Sequence, residues 1–374
     1  MTGRLLACTG AGFLSIGLLI PAIPKYVVGP LGQQTGVVGL SLAVTAAAGV
    51  LARPFAGRLA DRAGRRAASC AGAAILAATC LGLLASGSLP AFLCCRALAG
   101  VGEALLYVGL AALASDQERP GRAIDRFSAA VNAGLLAGPV VAELVQAAAG
   151  FAAVWALAAA AAAVAAVSCL LLDAGPVAPA RGRLVHRAGI RPGLGYLASV
   201  WGYTAFTGFL PLHVLAVGGT DAGPHFLLYG CVLMAVRLGG GRLTAEVAAP
   251  RLALASLVLT AAGLILLAAG ASAGAALWAA AVIGAGQGLG LPAFLKTAVT
   301  GLAAAERGAA VATTTAFFDL GFLCAAPALG ALTQSAGLPG GFASAAAVAA
   351  GGALLFLPIH RDPGRGAVHD PSPR

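Results

Sequence analysis

Charge is scarce in this chain. Asp, Glu, Lys and Arg make up 10% of 374 residues, where a water-soluble domain carries about a quarter. With 60% hydrophobic residues, there is more apolar side chain than a water-facing surface could hide. Long polar segments are missing too, which leaves no room for a soluble catalytic or signalling domain and excludes a membrane enzyme or a sensor. No Gly-x-x-x-x-Gly-Lys-Ser/Thr loop occurs, so ATP has no phosphate cradle and an ion gradient is the natural energy source. The eight cysteines (Cys8, Cys70, Cys80, Cys94, Cys95, Cys169, Cys231, Cys324) fall in apolar runs without zinc spacing. They read as small buried hydrophobes. Neither a cofactor nor a metal is implied.

What the chain has is long apolar runs rich in Ala and Leu. A bilayer admits only helices and closed barrels, and a barrel needs short alternating segments. Unbroken runs near 20 residues are helices. Polar breaks divide them into twelve spans: 5–26, 36–54, 67–87, 90–113, 127–149, 152–172, 194–217, 224–240, 251–271, 273–298, 308–333 and 340–359. The first follows Arg4, lacks a small-residue cleavage site and reads as a retained helix. The expected fold is all-α and membrane-integral, with twelve transmembrane helices in two pseudo-symmetric six-helix bundles. Residues 1–172 form the first, 173–193 a cytoplasmic linker, 194–359 the second and 360–374 a cytoplasmic tail.

Of 23 Lys and Arg residues, Arg96 and Lys296 lie within spans and Lys25 alone marks one side. The other twenty collect at the termini and in, or at the span ends beside, the even-to-odd connections. By the positive-inside rule both termini are cytoplasmic, in the cell (plasma) membrane. The net charge of +10 is thus a topology signal, aided by anionic lipid headgroups, and implies no nucleic acid.

Shifting the chain by 184 residues lays Arg53, Gly57, Arg58 and Leu59 on Arg237, Gly241, Arg242 and Leu243. The same shift lays GVGEAL, from Gly100, on GAGQGL, from Gly284, with Glu103 on Gln287. Near a shift of 187, Asn132 meets Asp319. Repeated halves that rock about a central site are common in secondary transporters.

The stretch GRLADRAGRR, Gly57 to Arg66, resembles the loop signature of the major facilitator superfamily, through Gly57, Leu59, Asp61, Arg62, Gly64, Arg65 and Arg66. Arg96, Gly100 and Gly102 resemble the helix 4 pattern of proton-coupled members. Gly134, Gly138 and Pro139 resemble the helix 5 pattern of antiporters, with Ala142-Glu143 a partial departure. The resemblance covers essentially the whole chain. It implies a twelve-helix drug/proton antiporter or related efflux permease, acting as a monomer on a small-molecule substrate and protons within the lipid bilayer. The alternative is an importer or facilitator of a sugar or other metabolite. Gly57, Arg58, Asp61, Arg62, Gly64 and Arg65 would form a conformational latch, with Gly57 permitting close helix approach and Asp61 bonding a helix end across the interface. The second copy has lost this: Asp61 corresponds to Ala245, Arg62 to Glu246 and Gly64 to Ala248.

Charge at mid-span costs at least about 2.5–3.5 kcal/mol and marks function. Glu103 lies about 20 Å along its helix, near the midplane, with Arg96 two turns before it. These two, with Glu143 and Asp319, are the candidates for proton coupling. Lys296, nearer a helix end, can snorkel. Tyr107, Trp201, Tyr203, Phe206, Gln287 and Phe294 are candidates for lining the substrate cavity, since flat aromatic faces suit an amphipathic or cationic ligand. Since orientation needs no acid in the loop, Asp61→Asn is expected to insert normally and stop turnover. Wild-type flux in Asp61→Asn vesicles would contradict the latch.

Overall fold

The computed structural model describes residues 2–116, 120–172, 186–239, 247–302 and 304–357. The linker segment 173–185, the second loop copy over 240–246 and the tail beyond 357 lie outside the described residues, as does the side chain of Asp61. Among the described residues ten α-helices follow one another: α1 Thr2–Val28, α2 Thr35–Arg62, α3 Arg65–Leu84, α4 Leu89–Ser115, α5 Pro120–Leu170, α6 Ile190–Ala216, α7 Gly223–Gly239, α8 Ala249–Ala269, α9 Ala273–Val299 and α10 Ala304–Leu354. Eight of them are long and apolar enough to cross a membrane. α5 and α10, at 51 residues each, have length for two crossings. Each is broken at one glycine, Gly150 (φ 77°) and Gly337 (φ 73°), a left-handed conformation that a Cβ disfavours. Both breaks fall where the sequence places a span boundary. With α6 and α7 the count of spans is twelve.

Several boundaries differ from expectation, those of α2 and α6 among them. α2 runs on to Arg62 rather than ending at 54, so most of the charged stretch is helix; a charged helix end can leave the hydrocarbon without unwinding. The turn into α3 is Ala63 and Gly64, the latter at φ 94°. α6 starts at Ile190, ahead of the expected 194, after a short 3-10 turn at Arg187–Gly189.

The halves share one packing plan. α1 packs on α5, α2 and α5 on α4 and α3 respectively, and α3 on α4; α6 packs on α10, α7 and α10 on α9 and α8 respectively, and α8 on α9. The repeat extends to single contacts. Arg4 Nη1 donates to Leu171 O at 3.1 Å, and Arg191 Nε to Leu355 O at 2.8 Å: a cation at the head of each half caps the carbonyl end of its last helix. A Cβ on Gly100 would strike Thr45 O, and one on Gly284 would strike Tyr229 O, again pairs separated by 184 positions. The cysteines depart in part from the buried reading: Cys8, Cys80 and Cys169 are buried, but Cys94, Cys231 and Cys324 are exposed.

Glycines also set where backbones touch. Within the first half, Gly138 of α5 lies on Gly17 of α1, and Gly134 on Phe13 and Leu14. Between the halves, Gly39 of α2 lies on Ala326 and Gly330 of α10. Gly57 does not serve this way: a Cβ there meets nothing within 4 Å, because the close contacts between the halves gather at the opposite end of α2. Gly138→Leu is therefore expected to cost about 1–3 kcal/mol of stability or more, as a lowered unfolding temperature in detergent. Gly39→Leu, relieved by a small separation of the halves, and Gly57→Ala should unfold near wild type. Equal losses in all three would contradict this division.

Candidate functional site

The two halves meet along α2 with α10, α5 with α7, and α1 with α6. The end bearing the α1–α2 turn is sealed. There Gln34 and Gln334 hydrogen-bond across the halves, Gly223 of α7 lies on the Glu143 side chain, and Gly230 on Leu136. Glu143 is the centre of this seal. Its Oε2 accepts from Lys25 Nζ at 2.5 Å, with side chains 2% and 9% exposed, and from the Ala222 amide of the other half at 3.4 Å. Lys25 sits in the last turn of α1, where a cation complements the helix dipole.

Deeper along α2, Arg53 Nη2 pairs with Asp319 Oδ1 of α10 at 2.6 Å. This is an ion pair between the halves, with Asp319 16% and Arg53 39% exposed at the side chain. The Arg53 guanidinium also lies over the Tyr107 ring of α4, 5.8 Å from its centroid. In the sequence, Arg53 is one more positive charge at the end of a span. The extension of α2 places it inside the bundle, and only its match to Arg237 had set it apart.

On α4, Arg96 is buried, and its Nε and Nη1 have no hydrogen-bond partner. Glu103 is partly exposed two turns on, within electrostatic reach of Arg96 and Arg53. Among the described residues, neither Arg96 nor Glu103 enters an ion pair; the three pairs present are Lys25–Glu143, Arg53–Asp319 and Arg65–Asp116.

The aromatic candidates divide. Tyr107 is 40% exposed and touches Phe13 and Phe127 edgewise or tilted. Tyr203 is partly exposed and edges Phe322 at 5.9 Å. Trp201 is partly buried, its Nε1 without a partner. Phe206 and Phe294 are corrections: both are fully buried, Phe206 against Phe226 and Tyr229, Phe294 against Tyr196 and Phe356. Helix α6 is covered along most of its length, so aromatic density there is chiefly packing. Gln287 is a local tie, accepting from Ser199 Oγ at 3.3 Å and donating to Ser199 O at 3.1 Å.

The latch residues separate as well. Arg58 stacks over Phe55 at 5.7 Å, and Arg62 is exposed. Arg65 donates to Ala112 O at 3.0 Å and pairs with Asp116, so it fastens α3 to α4 inside one half rather than bridging the halves. Arg66 reaches Leu172 O at 3.2 Å. Asp61 is on the last turns of α2, its side chain outside the described residues. Gly134, Gly138 and buried Pro139 belong to the α1–α5 contact.

The sequence pattern of the Major Facilitator Superfamily matches residues 5–300. An uncharacterised MFS-type transporter of Burkholderia mallei (strain SAVP1) is 28% identical, over 93% of this chain and 89% of its own length. One of Pseudomonas aeruginosa (strain LESB58) is also 28% identical, over 94% and 91%. Among solved structures, an auto-inhibited POT family peptide transporter aligns with TM-score 0.79 at 14% identity, covering 95% of both chains. The nucleoside transporter NupG aligns with TM-score 0.78 at 14% identity, covering 95% of this chain and 98% of its own. At such identity these two share the fold alone. Helices, internal repeat and sequence pattern agree: this chain is a membrane transporter of the major facilitator superfamily.

Proposed function

We propose that the protein is a proton-coupled exporter of a small organic molecule, a drug or secondary metabolite, working by alternating access. The observation that carries the reading is the Arg53–Asp319 pair, because it joins the two halves through an acid inside the membrane-spanning bundle. Protonating Asp319 removes the attraction to Arg53. Losing such a pair is worth between the ~1 kcal/mol of an exposed contact and the about 3–5 kcal/mol of a buried one, enough to bias two conformations of similar energy. Glu103 offers a second protonatable group within reach of the same arginine. Arg96 stays charged and so tunes Glu103 instead of carrying a proton. The Lys25–Glu143 seal holds the opposite end shut until the halves rock. The direction of transport rests on the helix 5 pattern at Gly134, Gly138 and Pro139, which in the family accompanies export.

In proteoliposomes holding an internal pH dye, candidate drugs and metabolites that are transported should drive a proton counterflow. Glu103→Gln and Asp319→Asn should each reduce that counterflow at least tenfold, the effect of about 1.4 kcal/mol, with substrate binding retained. Substrate flux without proton movement would instead establish a facilitator, and proton flow in the same direction as substrate an importer. Either result overturns the proposal.

A further inference from the structure

Arg237 is a cation whose anion has been replaced. The halves cross twice in related ways, α2 against α10 with Gly39 on Gly330, and α7 against α5 with Gly223 on Glu143. Arg53 lies fourteen residues after Gly39, and Asp319 eleven before Gly330. Arg237 lies fourteen residues after Gly223, and Asn132 eleven before Glu143. The two crossings therefore hold Arg53 with Asp319 and Arg237 with Asn132 in corresponding places. The first couple is an ion pair. In the second the carboxylate is an amide, whose nitrogen donates to Ser128 O of its own helix at 2.7 Å. Gly230, two turns before Arg237, lies against Leu136 of α5, so Arg237 is on the face of α7 that looks toward the other half.

Arginine is the side chain suited to hold an anionic group. The Nε of Arg237 is buried and has no partner, an arrangement that costs stability unless something completes it. The acid nearest in design, Asp319, is engaged by Arg53. Tyr196 and Tyr229 lie within electrostatic reach of Arg237, and Tyr196 also lies within reach of Asp319, Tyr107 and Tyr203. From Tyr196 a ladder of partly exposed rings runs along α6 and α10: Tyr196 to Phe318 at 5.6 Å, Phe318 to Phe322 at 5.1 Å, and Phe322 to Tyr203 at 5.9 Å. An arginine outside the three ion pairs, within electrostatic reach of an apolar ring ladder, matches a ligand with one anionic end and a flat or extended apolar body.

We infer that the transported molecule is an amphipathic organic carboxylate, its anionic group held by Arg237 and its apolar body laid along Tyr196, Phe318 and Phe322. This rests on the reading of the protein as a transporter of small organic molecules, but on neither its direction nor its coupling to protons. Arg237 takes the place in substrate binding that Arg53 takes in holding the halves together.

The test is equilibrium binding to the full-length protein in detergent, by calorimetry. The probes are three acids, each with its matching alcohol: naphthoate with naphthalenemethanol, benzoate with benzyl alcohol, and decanoate with decanol. At least one acid should bind about tenfold or more tighter than its alcohol, the worth of a charge-assisted hydrogen bond. Arg237→Gln should remove that preference, and Arg237→Lys should restore part of it. Asn132→Asp should also remove it with the arginine still present, because the rebuilt pair occupies the guanidinium. Asn132→Asp should in addition raise the unfolding temperature, and the gain should vanish when Arg237→Gln is added. The absence of any acid preference in the wild type, or a preference that survives both Arg237→Gln and Asn132→Asp, overturns the inference. Binding in detergent is read without a proton gradient, so its failure leaves proton-coupled export standing, and a failure of proton counterflow leaves the carboxylate site standing.

Discussion

A charge inside a bilayer must be neutralised, lifted to the interface or left waiting for a ligand, and this constraint organises the protein. Each of the three ion pairs does a different task with the same physics. Arg65–Asp116 fastens two helix ends within a half, Lys25–Glu143 closes one end of the bundle, and Arg53–Asp319 joins the halves at depth. Outside those pairs, and also within the spans, stand Arg96 with Glu103 on α4, and Arg237 on α7. In so apolar a chain, where each intramembrane charge costs several kcal/mol at mid-span, these are the charges on which the proposed proton coupling and substrate binding rest.

The glycines and the charges divide the labour. Backbone contacts such as Gly17 on Gly138 and Gly100 on Thr45 hold each half as a packed unit with few degrees of freedom. Contacts between halves are of another kind: Gly39 on Gly330, Gln34 with Gln334 and the two cross-half ionic groups lie on surfaces that can part without disturbing either core. At matched positions of the repeat the sequence also breaks the symmetry in charge. Glu103 faces Gln287 across the repeat, and Asp319 faces Asn132. One half thus keeps a titratable acid where the other keeps a neutral amide, which Gln287 spends on tying α9 to α6.

Much of this was legible in the residues alone. Hydrophobic run lengths gave the spans, and the breaks at Gly150 and Gly337 fell where glycine interrupts an apolar pattern. The repeat could be read from Arg53 and Arg237 because few residues in so biased a composition match by anything but chance. Other features were hidden for physical reasons. Charge at a helix end looks like a loop, so the run of α2 to Arg62 was missed, and with it the depth of Arg53. Aromatic density does not say which way a ring points, so Phe206 and Phe294 were expected in a cavity and lie in packed core. The partners of Arg53 and Lys25 are far away in sequence, and no local spacing announces a contact between helices that meet only after both halves have folded.

The central claim is that the Arg53–Asp319 pair ties the two halves together. It is tested most directly by spin labels at Ala63, in the turn after α2, and on α10 at Ala316, both exposed positions, in a cysteine-free background. The account requires that Asp319→Asn and Arg53→Gln each lengthen or broaden the distance distribution between the labels, and that the double variant goes no further than either alone. A distribution unchanged from wild type in both single variants, or additive effects in the double, would show that the pair does not hold the halves.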